Sequence, residues 1–180
     1  MNDTYLYPPG FDDEYVAPEP DFQPTRLTPE PAPLHPWLAE FYDVSADMIF
    51  EPTLLKCAEH SLKKWIGIRP SNLEKHGILV NKVLTLYDKL TFKEILIMSW
   101  KTCALCHWNL DDTLDVICET CLISRISGYS CWDIDVSDTG EIVVTPTPWS
   151  IWVKTGDPEP MIELLTQCVE LARTESEKKG

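Results

Sequence analysis

CALCHWNLDDTLDVICETC, residues 103–121, places Cys103 and Cys106 three apart, Cys118 and Cys121 three apart, and eleven residues between the two pairs. A CxxC pair grips one side of a soft metal ion from a tight turn, and a second pair completes a tetrahedron. Thiolate donors select zinc over magnesium or calcium. Cys103, Cys106, Cys118 and Cys121 are therefore the expected zinc ligands. A mixed site, with His107 or Cys131 replacing one of them, stays open. Four thiolates leave no position for a reactive water, so the expected zinc is structural. A redox CxxC would need one pair after a strand and before a helix, and here there are two pairs.

Outward from this stretch, the chain falls into contrasting parts. Residues 1–36 hold nine of the fifteen prolines and seven acids against one base, Arg26. Such a segment buries too little apolar surface to offset its ordering entropy, and it reads as a disordered acidic tail. Residues 37–67 read as a linear-motif region and 68–180 as a helical zinc module. Within residues 53–67, Leu54, Ala58, Leu62 and Trp65 recur at helical spacing. Ser71–Glu74 and Thr91–Glu94 have the form of capping boxes. They predict helices carrying Val80, Val83, Leu84 and Tyr87, then Phe92, Ile95, Leu96 and Trp100. Trp132, Ile134 and Val136 alternate as in a strand. A turn at 137–140 and a second β segment over 141–154, interrupted by Pro146 and Pro148, complete a hairpin. A C-terminal helix after Pro158 turns Leu164, Leu165, Cys168 and Leu171 inward. The expected fold class is α+β: a disordered Pro-rich tail, then a small helical, zinc-pinned domain with a β-hairpin and a C-terminal helix.

The chain carries 15 Lys+Arg against 29 Asp+Glu, a formal net charge of −14. That balance argues against a phosphate-backbone partner and against an anionic membrane surface. No apolar run reaches the roughly 18 residues of a membrane span, and the N-terminus lacks the pattern of a secretory signal. Seven glycines include no phosphate loop or GxSxG elbow, and the four histidines (35, 60, 76 and 107) form no recognisable catalytic motif. The expectation is a protein that is not an enzyme.

Two short segments carry a resemblance. Leu55-Lys-Cys57-Ala-Glu59 is LxCxE, similar to the segment with which viral oncoproteins occupy a groove of retinoblastoma-family pocket proteins. Leu38-Ala-Glu40-Phe41-Tyr42-Asp43-Val44 looks like an element in the first conserved region of the adenovirus early region 1A protein. The CxxCH start and the order of the three elements resemble that family too, while the short Val44–Leu55 interval looks papillomavirus-like. The matches cover residues 38–44, 55–59 and 103–121. The resemblance implies a viral early regulatory protein and oncoprotein in the host nucleus. It would bind pocket proteins through Leu38, Glu40, Phe41, Tyr42, Asp43, Val44, Leu55, Cys57 and Glu59. It would release the bound transcription factor, promote S phase and recruit transcriptional partners through its zinc module. His60, Lys63 and Lys64 stand where that family has acids.

Two rival resemblances point to ubiquitin-ligase machinery. Trp100–Cys106 and Cys118–Cys121 are similar to the opening of a cullin-associated RING-box protein, although too few Cys and His follow for a second zinc site. Leu164-x3-Cys168-x3-Ala172 resembles an elongin-binding helix. A zinc-stabilised interaction module without pocket-protein binding is the remaining alternative.

Overall fold

The computed structural model describes residues 34–81, 84–111, 113–131, 134–136, 142–144 and 146–178. The expected tail, Val83, Trp132 and the 137–140 turn lie outside these, apart from Leu34, His35 and Pro36. The architecture is α+β: helices, a small three-stranded antiparallel sheet and a separate two-stranded ribbon.

Helix α1 (Pro36–Phe41) starts on Pro36, whose fixed φ suits a first helical turn. It buries Trp37 and Phe41, and the Trp37 indole donates to the Gly67 carbonyl at 2.8 Å. Helix α2 (Leu54–Gly67) is capped by the Thr53 hydroxyl, which accepts from the Lys56 N–H. Its buried side is Cys57, Ala58, Ser61, Lys64 and Trp65, whereas Leu54 and Leu62 are half-buried. The helical expectation for 53–67 holds, with the inward face rotated toward polar residues. The boundary expected at residue 67 is not structural. Helices α1 and α2 belong to the same unit and the same core as the chain that follows.

Gly67 lets α1 lie directly on α2. A Cβ there would stand 2.6 Å from Phe41 Cγ and 2.7 Å from Phe41 Cβ, too close to relieve by turning a side-chain tip. Gly67→Ala should therefore cost about 1–3 kcal/mol, read as a lower urea midpoint. An unchanged midpoint would mean that α1 does not rest there.

The helices expected over 71–101 are corrected. Helix α3 (Pro70–Lys75) is six residues long and gives way at Gly77, φ +62°. Strands β1 (Ile78–Val80), β2 (Thr85–Asp88) and β3 (Glu94–Ile97) then form an antiparallel sheet in that order. Val80 faces Leu86, and Leu86 faces Leu96. Leu86 is fully buried. Thr91 does not cap a helix. Its N–H and hydroxyl both donate to Asp88 Oδ1, closing the β2–β3 turn. Those bonds, led by the Thr91 N–H, hold the Asp88 carboxyl at about 2. A local acid–hydroxyl signature thus served a hairpin turn, a use open to both residues.

Helices α4 (Ala104–Trp108) and α5 (Leu122–Ser127) follow, each starting directly after a cysteine. Strands β4 (Ile134–Val136) and β5 (Ile142–Val144) pair antiparallel, as the expected hairpin requires. The second β segment ends sooner than expected. Pro148 opens helix α6 (Pro148–Thr155), capped by the Thr147 hydroxyl on the Ser150 N–H. The proline read as interrupting a strand occupies the first helical turn. Helix α7 (Glu159–Glu177) buries Leu164, Leu165 and Cys168 against α2, and Leu171 is half-buried. Arg69 clamps Glu159 through two bonds of 2.7 and 2.8 Å, tying the start of α3 to the start of α7. Trp65 packs edge-on against Trp149 and Trp152, closing the core beside the cysteines.

Candidate metal centre and docking segments

Each cysteine pair lies on a tight turn. Cys103 precedes α4, and the Cys106 N–H donates to the Cys103 carbonyl at 3.0 Å. Cys118 opens a 3-10 turn, Cys118–Thr120, and its carbonyl accepts from the Cys121 N–H at 3.1 Å. Asn109, which sequence reading passed over, joins the two turns. Its Nδ2 donates to the Leu105 carbonyl and its Oδ1 accepts from the Thr120 hydroxyl. Its backbone carbonyl accepts from the Ile117 N–H. The intervening loop is closed by the Leu110–Val116 bridge and by the Asp111 carboxylate, which accepts from Thr113 and Asp115.

Helix α2 presents Ser61 and Lys64 to this group. The Ser61 hydroxyl lies 3.8 Å from Cys103 Sγ. Lys64 is 1 % exposed, and its ammonium donates to the Thr102 carbonyl and hydroxyl. Among the described residues it forms no ion pair with a carboxylate, and Cys103, Cys106 and Cys131 line the same cavity as its side chain. Burial pushes its pKa down. The Cys106 thiol donating to Cys103, together with the Lys64 charge, brings Cys103 well below the ordinary thiol range, while Cys106 keeps its proton and moves up.

Among the described residues, no three Cys, His, Asp or Glu side chains are close enough to form a finished metal cage. The donor chemistry nevertheless fits a thiolate-bound metal. A divalent ion on four thiolates carries a net charge of −2, and a buried ammonium sharing a cavity with the cysteines and a hydroxyl 3.8 Å from Cys103 Sγ are the kind of outer groups that such an anion needs. The missed signal was the stripe Cys57, Ser61, Lys64 on the inward side of α2, polar residues at core spacing. His107, the other alternative ligand, is tied by Nε2 to the Lys101 carbonyl at 2.8 Å.

The two expected docking segments are built into the fold. Leu55, Cys57 and Glu59 lie in α2, not in an extended strand. Cys57 is 2 % exposed and its thiol is pushed up to about 11 by burial. Leu55 is half-buried, and Glu59 is exposed, 3.7 Å from Arg173. In the first segment, Phe41 and Tyr42 are buried and Leu38 half-buried; Glu40, Asp43 and Val44 are exposed. Glu40 pairs with Lys75 and His76, and Asp43 with Lys63. The two segments also hold each other. The Tyr42 ring meets His60 edge-on, and His60 Nε2 donates to the Val44 carbonyl at 2.7 Å. The basic residues that depart from the oncoprotein pattern thus have internal work. The elongin-like face is likewise occupied: Leu164, Cys168 and Ala172 are buried on α7, the helix that packs along α2.

No family model matches this chain, and no curated protein or solved structure is significantly similar to it. No helix among the described residues is long and apolar enough to cross a membrane.

Proposed function

We propose that this chain is a protein-interaction module whose cysteine-bearing half is pinned by a structural zinc ion, and that it does not engage pocket proteins through LxCxE. The observation that carries the zinc is Lys64, a buried ammonium bonded to Thr102 that lines one cavity with Cys103, Cys106 and Cys131. The interaction role is supported by large apolar side chains left in solvent: Met48, Phe50, Leu90, Phe92 and Leu114 are each more than 70 % exposed. Phe92 and Leu114 hold left-handed backbone, φ +53° and +66°, an arrangement with a local energetic cost at non-glycine residues. The oncoprotein reading would need α2 to unwind from Leu55 to Glu59, pulling Cys57 out of the core.

The test is calorimetric titration of the zinc-loaded chain into a retinoblastoma-family pocket domain, beside Cys57→Gly and Tyr42→Ala variants. The expected result is no binding, with both variants less stable than wild type: about 2 kcal/mol or more for Tyr42→Ala, and a smaller loss for Cys57→Gly from a helix-interior glycine and a cavity. Binding by wild type that both variants abolish while keeping their fold would overturn this reading.

A further inference from the structure

We propose that the cavity beside Lys64 binds a small, neutral, flat aromatic molecule whose one acceptor oxygen bonds the Lys64 ammonium. The cavity measures about 330 Å³ and lies between α2, α4, α5, α6 and α7. Its walls are mainly apolar, with Trp65, Met98, Trp100, Trp149, Met161 and Leu165 the largest contributors. Cys103 and Cys106 line it too, but a metal ion on their sulfurs does not account for it. An ion needs less room than a water molecule, whose share of the liquid is about 30 Å³. The volume instead falls within the range of small-molecule sites, which begins at about 300 Å³. An apolar cavity of about 150 Å³ holds benzene, so this one has room for about two fused rings. Trp100 is 47 % exposed, so the cavity is not sealed from solvent.

The lining selects the ligand. Three indoles and two thioethers offer a flat ring edge-on aromatic contacts and sulfur contacts. Trp149 meets Trp65 edge-on at 5.6 Å, so two of the walls brace each other. Wall atoms facing a void lack dispersion partners on one side, and a ligand supplies them. Lys64 is the polar anchor. It is 1 % exposed, and two of its three N–H groups go to the Thr102 carbonyl and hydroxyl. The third has no partner among the described residues, and a carbonyl or hydroxyl on the ligand completes the set. Charge argues for a neutral ligand. A cation would face the Lys64 ammonium in a poorly solvated space. An anion would face the negative metal–thiolate centre, a point that rests on the zinc reading above.

The test titrates the zinc-loaded wild-type chain with 2-acetylnaphthalene, naphthalene and 2-naphthoate, following the indole N–H signals by nuclear magnetic resonance. The expected result is saturable binding of one 2-acetylnaphthalene per chain that shifts Trp65, Trp100 and Trp149 and leaves Trp37 and Trp108 in place. The ketone should bind about tenfold more tightly than naphthalene, the size of one hydrogen bond to a charged donor. In a second arm, Lys64→Met removes the ammonium and keeps the length of the stem. It should erase the tenfold preference while naphthalene still binds. If that variant does not fold, the wild-type comparison of ketone with hydrocarbon still decides. No saturable binding, or binding that leaves Trp65, Trp100 and Trp149 unshifted, overturns the site. Equal binding of the ketone and naphthalene overturns the role of Lys64. Tighter binding of 2-naphthoate than of the ketone overturns the neutral ligand and counts against the zinc reading, with the cavity site intact.

Discussion

Cys103→Ser is expected to leave the chain without a cooperative thermal transition and without near-ultraviolet circular dichroism. Cys103 is the cysteine to which most of the surroundings are directed: the Cys106 thiol, the Ser61 hydroxyl and the Lys64 charge all act on it. Structural zinc in small peptides is worth about 10–16 kcal/mol in apparent terms, and a domain has only about 5–15 kcal/mol to lose. Losing one ligand also leaves Lys64 buried beside fewer negative sulfurs, which raises the cost of keeping α2 packed. A variant that still melts cooperatively within a few degrees of wild type would show that the thiols carry no metal of structural weight.

Trp37→Ala is expected to cost about 3–5 kcal/mol, read from chemical denaturation, the range for truncating a buried aromatic. Trp37 is fully buried, lies against α2 and donates to the Gly67 carbonyl, which would lose that partner. If residues 37–44 were a detachable docking strand, the same change would cost under about 1 kcal/mol, as surface substitutions do. The measurement therefore separates an integral α1 from a mobile motif.

Legibility in the sequence followed the range over which each signal acts. Helices α2 and α7 were readable because an amphipathic stripe repeats for three turns or more in each. The β4–β5 ribbon was readable from alternation across a turn. The three-stranded sheet was not. Its strands are three or four residues long, too short for alternation to outweigh helical spacing, and Thr91 next to Glu94 imitated a cap. Helix α6 was hidden because Pro148 is compatible with a broken strand and with a helix start alike. In the candidate site, the cysteine pairs were visible as spacing. Lys64, Ser61 and Asn109 were not, since only tertiary packing brings them to the thiols. The LxCxE match was real as a string, but a three-residue signature carries no information on whether its side chains face outward. Here Cys57 is buried in the core and lines a pocket with Ile49, His107 and Trp108.

The most direct measurement is the metal content of the chain purified under reducing conditions without added metal, by native mass spectrometry and elemental analysis. The account predicts one zinc ion per folded chain, released together with tertiary structure when a chelator is added. A metal-free chain that keeps its native near-ultraviolet spectrum and its cooperative transition would contradict it.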